Sequence, residues 1–95
     1  MRSRYTAFVL ERGDYLLATW HASQRPASIS FDAGVKWLGL ELRQHRVTGA
    51  GQAEVEFVAR QKAPGVPALR LHERSRFVRA GEGQPRWYYV DGDQL

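Results

Sequence analysis

A ten-residue stretch in the second half of the chain, residues 69–78, constrains the fold more than any other feature. Its apolar residues alternate with basic ones, which is typical of a β-strand with one face on a core. The core face carries Leu69, Leu71 and Phe77, and Glu73 and Ser75 lie between Leu71 and Phe77. A polar side chain at a core position must be paired or must serve a function. Glu73 therefore indicates either a buried ion pair or the floor of a pocket.

The rest of the sequence predicts two short helices followed by strands. Tyr5, Phe8 and Val9 have the spacing of one buried helical face, and Asp14 is placed to N-cap a second helix. Period-two segments separated by Gly- and Pro-rich turns follow. The predicted elements are helices over residues 2–10 and 15–20 and strands over residues 36–47, 54–60, 69–78 and 86–90.

Loops of hairpin length join the four strands, so we expect an antiparallel meander with the helices on one face. The chain is then a single α+β domain, residues 1–95. In the first strand, Leu38, Leu40 and Leu42 share the predicted core face. Residues 91–93 are predicted to close the last strand.

The opposite face of the predicted sheet is charged. Glu54 and Glu56 are expected to lie across from Arg74 and Arg76 and to form cross-strand ion pairs. This face is also the candidate surface for a weak homodimer, because mixed charges can be self-complementary across a two-fold axis. Its predicted residues are Glu54, Glu56, Val58, Arg74, Arg76 and Val78. A monomer is the alternative.

Composition narrows the classes of partner. The net charge is +4 and twelve arginines accompany two lysines, but no run of basic residues occurs, which makes nucleic-acid binding by the outer arginines the weaker hypothesis. Cysteine is absent, and His21, His45 and His72 are dispersed, so we predict neither a metal nor a cofactor. No segment reads as a membrane span or secretory signal, which predicts a cytoplasmic protein without membrane contact.

Six segments, in order along almost the whole chain, carry a resemblance to a known family. They are residues 2–9, 14–21, 37–40, 55–59, 71–77 and 86–92. Together they resemble the bacterial YchJ-like family of uncharacterised proteins. The resemblance implies an NTF2-like (cystatin-like) fold, a curved antiparallel sheet wrapped round helices into a cone with a central cavity. Family members generally carry flanking cysteine-rich SEC-C zinc motifs, and zinc binding is not carried over to a chain without cysteine.

The first helix begins at residue 1 or 2 without a capping side chain. The resemblance implies that this segment is the middle of a longer helix. We therefore expect the chain to be trimmed at its N-terminus relative to family members, through truncation, an internal start codon or natural shortening.

Glu73 and His21 are the candidate catalytic residues, since both would approach the cavity of the implied fold. A buried carboxylate holds a proton more readily, and beside a histidine it could act as a general base. The structural alternative for Glu73 is an ion pair with Arg4 or Arg2. The alternative for His21 is an interaction with the last carbonyls of the second helix. The predicted cavity residues are Tyr5, Trp20, His21, Trp37, Glu73 and Ser75.

Three functions remain open from the sequence. The leading prediction is a non-catalytic module that binds a small molecule or a protein partner in its cavity or on its sheet face. The first alternative is a small enzyme of the isomerase or dehydratase type that uses Glu73 and His21. The second is weak nucleic-acid binding.

Overall fold

The computed structural model describes residues 1–32, 34–81, 83 and 85–95, and in them two short helices precede an antiparallel sheet. The elements are helices α1 (Arg2–Val9) and α2 (Gly13–Ala18) and strands β1 (Lys36–Gly49), β2 (Gln52–Lys62), β3 (Leu69–Ala80) and β4 (Arg86–Gln94). The strands lie in the order β1-β2-β3-β4, which confirms the predicted α+β class and meander. Among the described residues, no helix combines the length and the apolar character needed to cross a membrane.

The core lies between the helices and the inner face of the sheet. Its buried apolar residues are Ala7, Leu16, Ala53, Val55, Phe57, Ala59 and Phe77. Burial in β2 alternates through Ala53, Val55 and Phe57, as expected for a strand with one face on a core. The predicted inward face of β2 is therefore confirmed.

The buried face of α1 differs from the prediction. Arg4 and Ala7 are buried, whereas Val9 is 46% exposed. The helix is rotated relative to the predicted Tyr5–Phe8–Val9 face because the guanidinium of Arg4 lies against aromatic rings of the core. A charged residue would not be placed on a core face from hydrophobic spacing alone.

Helix α2 begins one residue before Asp14, so the predicted N-cap role of Asp14 is wrong. Arg12 occupies the N-cap position without a side-chain hydrogen bond to the helix. Asp14 lies in the first turn instead, where a carboxylate interacts favourably with the helix dipole, and its Oδ1 is 3.6 Å from Nε of Arg12.

The segment that follows α2 is attached to the free edge of β4. The backbone N–H of His21 donates to the carbonyl of Tyr89 at 2.7 Å, and the N–H of Tyr89 donates to the carbonyl of Thr19 at 2.8 Å. Trp20 and Tyr89 thereby form an isolated parallel bridge. These two hydrogen bonds fix the position of Trp20 relative to the sheet.

Two of the irregularities in β1 decide which residues face the core. The register shifts between Trp37 and Gly39, and again between Leu42 and Gln44. The first shift places Trp37 on the inner face with Leu40 and leaves Leu38 56% exposed. The predicted inward Leu38 is therefore wrong, because one extra residue reverses the alternation.

Strand β4 continues to Gln94, so the predicted end at residues 91–93 is also wrong. Asp91 and Asp93 lie opposite Arg76 and Arg74 in the sheet. On the outer face both carboxylates accept hydrogen bonds from Arg76, at 2.6 Å for Asp91 and 2.7 Å for Asp93. These bonds extend the strand through a segment whose composition is typical of a turn.

The predicted register of the outer face is confirmed, since Glu54 is opposite Arg76 and Glu56 is opposite Arg74. The ion pairs match it only in part. Glu56 accepts from Arg74 at 3.4 Å and also contacts His72 at 3.0 Å. Glu54 pairs with Arg46 of β1 at 3.0 Å instead, because Arg76 is engaged by β4.

One member of the predicted homodimer surface is not accessible. Val58 is 2% exposed, although it belongs to the outer face. Its neighbours in the ladder are Glu41 and His72, whose longer side chains stand on either side. Homodimerisation through this face therefore remains a prediction that rests on the charged residues and Val78.

Acid is expected to weaken the sheet through two outer-face carboxylates. A hydrogen bond from His72 lowers the pKa of Glu56, and one from Arg76 lowers the pKa of Asp93. Depressed folded-state pKa values mean that the stabilisation is complete above the ordinary values of 4.5 and 3.8 and is lost as pH falls through the folded-state values. Urea midpoints measured across the acidic range should therefore fall below about pH 4.5.

The matched control is the double variant Glu56→Gln, Asp93→Asn, which removes both titrating groups. Its midpoint should depend less on pH in the same range than that of the wild type. An identical acid dependence in the two proteins would contradict the assignment.

Candidate functional site

A cavity of about 300 Å³ lies between α1, the end of α2 and the inner face of the sheet. We call it the aromatic cavity. Its aromatic lining consists of Tyr5, Phe8, Trp20, Trp37, Phe57 and Tyr89, and its polar lining consists of Arg4, Glu73 and Gln94. Its volume is at the small end of the range for ligand pockets, and an apolar lining with few polar groups is typical of them.

The aromatic walls are packed edge to face. The ring centroids of Tyr5 and Trp37 are 5.7 Å apart at an interplanar angle of 79°, and those of Trp20 and Tyr89 are 5.0 Å apart at 87°. Such pairs favour one relative orientation of the rings. These contacts therefore hold four of the rings in defined relative orientations.

Arg4 is a buried cation in this wall. The residue is only 5% exposed, and its Cζ is 4.1 Å from the ring centroid of Tyr89 and 5.2 Å from that of Trp20. Burial lowers the pKa of Arg4, and nearby Tyr89 and Glu73 act in the opposite direction. An arginine nonetheless stays protonated in proteins, and the two rings supply cation–π attraction. Its Nη1 has no hydrogen-bond partner among the described residues.

Glu73 is held against β3 and β4. Its Oε2 accepts from Oγ of the fully buried Ser75 at 2.5 Å, and its Oε1 accepts from Nε2 of Gln94 at 2.9 Å. Gly92 leaves the space that this carboxylate occupies, since a Cβ there would lie 2.7 Å from Cδ of Glu73. Ser75 and Gln94 thus hold the carboxylate of Glu73 in place. No pattern in the sequence indicated the roles of Gly92 and Gln94.

The predicted ion pair between Arg4 and Glu73 is not formed, nor is one with Arg2. Arg4 lies on the rings of Tyr89 and Trp20, while Glu73 is bound by neighbouring strand residues. The two opposite charges line the same cavity without direct contact. Burial and the charge of Glu73 raise the pKa of Tyr89 to about 12, so its phenol is neutral at neutral pH.

His21 is not brought together with Glu73. Its ring centroid is 6.5 Å from that of Tyr88, and its Nδ1 is 2.7 Å from Oγ of Ser23. Tyr88 and Tyr89 are successive strand residues and face opposite sides of the sheet. His21 therefore lies away from the aromatic cavity, and the predicted pairing of a carboxylate with a histidine is absent between these two described residues.

A second cavity of about 500 Å³ shares Arg4 with the first. It lies over the other end of the inner face, where His45, Phe77 and Trp87 contribute to its wall. The sequence did not predict it, because His45 reaches the inner face only through the register shift after Leu42. Among the described residues, no group of three or more histidines or carboxylates is arranged to hold a metal ion.

Comparisons with known proteins agree on one family. A family model described as "YchJ, middle NTF2-like domain" matches residues 1–92. A UPF0225 protein from a Polaromonas species is 76% identical over 93 residues, which cover 98% of this chain and 65% of the relative. Another, from Polaromonas naphthalenivorans, is 68% identical over 95 residues, which cover 100% of this chain and 67% of the relative. The chain thus spans about two thirds of the length of these relatives.

A solved structure extends the similarity to the fold. The solution structure of a SEC-C motif containing protein from Rhodopseudomonas palustris matches with a TM-score of 0.80 at 32% sequence identity. The match covers 100% of this chain and 75% of that protein.

Proposed function

Since this chain belongs to the YchJ family, as a middle NTF2-like domain, we propose that it is a non-catalytic binding module whose aromatic cavity accepts a small molecule. The observation that carries the proposal is a cavity of about 300 Å³ with aromatic walls packed edge to face and two charged groups that are not paired with each other. A packed core would be expected to fill such a space, because empty volume beside side chains forfeits contacts.

The arrangement of the polar groups supports binding more than proton transfer. Both carboxylate oxygens of Glu73 already accept hydrogen bonds from the protein, and His21 lies outside the cavity. The predicted mechanism needs the carboxylate and the histidine in one site, and the ring of His21 lies beside Tyr88 instead. The alternative of an isomerase or dehydratase that uses these two residues therefore has little geometric support.

The alternative of nucleic-acid binding is disfavoured at three arginines of the outer face. Arg46, Arg74 and Arg76 each contact a carboxylate of a neighbouring strand. The carboxylates neutralise much of the positive charge that would attract a phosphate. Phosphate binding would also have to displace these contacts.

Toluene is a suitable probe of the cavity because it is apolar and has the size of a single aromatic side chain. Titration of the isotopically labelled chain should shift the NMR signals of cavity residues, including the indole N–H groups of Trp20 and Trp37. Leu71 lines the cavity, so Leu71→Trp should fill it and weaken toluene binding at least tenfold. The matched control is Leu69→Trp, since Leu69 is 50% exposed and is not part of the lining.

Two results would contradict the proposal. One is the absence of shifts at cavity residues up to the solubility limit of toluene. The other is equal weakening of binding by Leu71→Trp and Leu69→Trp in variants that both remain folded by circular dichroism.

A further inference from the structure

The polar groups of the aromatic cavity define the chemical class of the ligand. We infer that the cavity takes a neutral molecule with an apolar body and a carbonyl-type hydrogen-bond acceptor. This inference rests on the proposed function and adds to it the kind of molecule that is bound.

Two buried hydrogen-bond donors belong to residues that line the cavity, and both lack an acceptor among the described residues. They are Nη1 of Arg4 and Nε1 of Trp20. Both residues line the aromatic cavity, and Arg4 is only 5% exposed. Neither atom is exposed, so a ligand oxygen reaches them through a small rearrangement of these side chains. A buried donor without an acceptor is costly, so a ligand that brings an oxygen acceptor to these donors gains a hydrogen bond that the protein alone does not make.

The charge of the cavity favours a neutral acceptor over a carboxylate. Glu73 lines the same cavity and offsets the positive charge of Arg4. Met1 lines it too, and burial and nearby Arg4 lower the pKa of its α-amino group, which disfavours a second positive charge there. A carboxylate ligand would add a second negative charge to a poorly solvated space near Glu73. Arg4 and Trp20 need a hydrogen-bond acceptor and not a counter-ion. A carbonyl oxygen is such an acceptor and adds no charge.

An amide fits these groups particularly well. Its carbonyl oxygen would accept a hydrogen bond from Arg4 or Trp20. Its N–H would donate to the carboxylate of Glu73, because each carboxylate oxygen can accept more than one hydrogen bond. The edge-to-face aromatic walls suit a single planar ring as the apolar body. Benzamide combines these features and is the probe of choice.

The test compares benzamide, benzoate and toluene by NMR titration of the chain. Benzamide should bind about 3- to 10-fold more tightly than toluene, which corresponds to one net hydrogen bond, and more tightly than benzoate. If benzoate or toluene binds as tightly as benzamide, the inference is overturned. The proposed function, a cavity that binds a small molecule, would still stand. Failure of all three to bind would overturn the proposed function and the inference together.

Substitutions at Trp20 and Arg4 test whether their buried N–H groups are the donors to the ligand. Trp20→Phe keeps an aromatic ring and removes the buried N–H, so the ratio of the toluene and benzamide dissociation constants should fall toward one. Trp87→Phe makes the same change at a tryptophan that does not line the aromatic cavity and should leave that ratio unchanged. Arg4→Met should reduce the ratio as Trp20→Phe does, with folding checked by circular dichroism. An unchanged ratio in both Trp20→Phe and Arg4→Met would overturn the inference even if benzamide binds well.

Discussion

Replacing Leu16 with alanine is expected to lower the free energy of unfolding by about 2–5 kcal/mol. Leu16 is 0% exposed and is the buried residue of α2. A helix of six residues is not stable by itself, so its attachment depends on this side chain. The loss is a large part of the roughly 5–14 kcal/mol that stabilises a domain of 95 residues.

Urea unfolding followed by tryptophan fluorescence measures this loss. The matched control is Leu10→Ala, the same truncation at a residue that is 61% exposed, and its effect should stay within about 0.5 kcal/mol. Because Trp20 follows α2, Leu16→Ala should also loosen one wall of the aromatic cavity. Equal losses from Leu16→Ala and Leu10→Ala would contradict the role given to Leu16.

Gly92→Ala is expected to destabilise the chain by about 2–4 kcal/mol, through overpacking and a lost hydrogen bond. The new Cβ would lie 2.7 Å from both Cδ and Oε2 of Glu73. Glu73 can move only by leaving the hydroxyl of Ser75, which is buried and would then lack its acceptor. The glycine is therefore required by close packing and not by an unusual backbone conformation.

The double variant Glu73→Ala, Gly92→Ala tests this explanation. Removing the carboxylate makes room for the new methyl group, so the two substitutions should be less harmful together than the sum of their separate effects. Gly39→Ala is the control, because a Cβ at Gly39 meets no atom within 4 Å. Strict additivity of the two substitutions, or an equal loss from Gly39→Ala, would refute the steric explanation.

The strands and their pairing could be predicted because they depend on local patterns. The alternation through Glu73 and Ser75 identifies the inner face of β3. Short loops then bring Glu56 across from Arg74, as the structure has them. Period and loop length determine register when no residue is inserted between paired strands.

The environment of the candidate site could not be predicted in the same way. Whether Arg4 reaches Glu73 depends on the rotation of α1 and its distance from the sheet, and helical spacing determines neither. The position of His21 follows from backbone hydrogen bonds between the end of α2 and Tyr89, which leave no pattern in side-chain types. Trp37 is a predicted cavity residue, but the register shift that turns it inward is not visible in the alternation of the leucines.

The register shifts of β1 also affect how the chain meets other chains. An edge strand of fourteen residues is long enough to recruit a foreign strand through its unpaired N–H and C=O groups. In β1 the irregularities after Trp37 and Leu42 interrupt the regular spacing of those groups. A foreign strand could therefore match only short stretches of this edge, which protects an exposed sheet margin against fibrous aggregation.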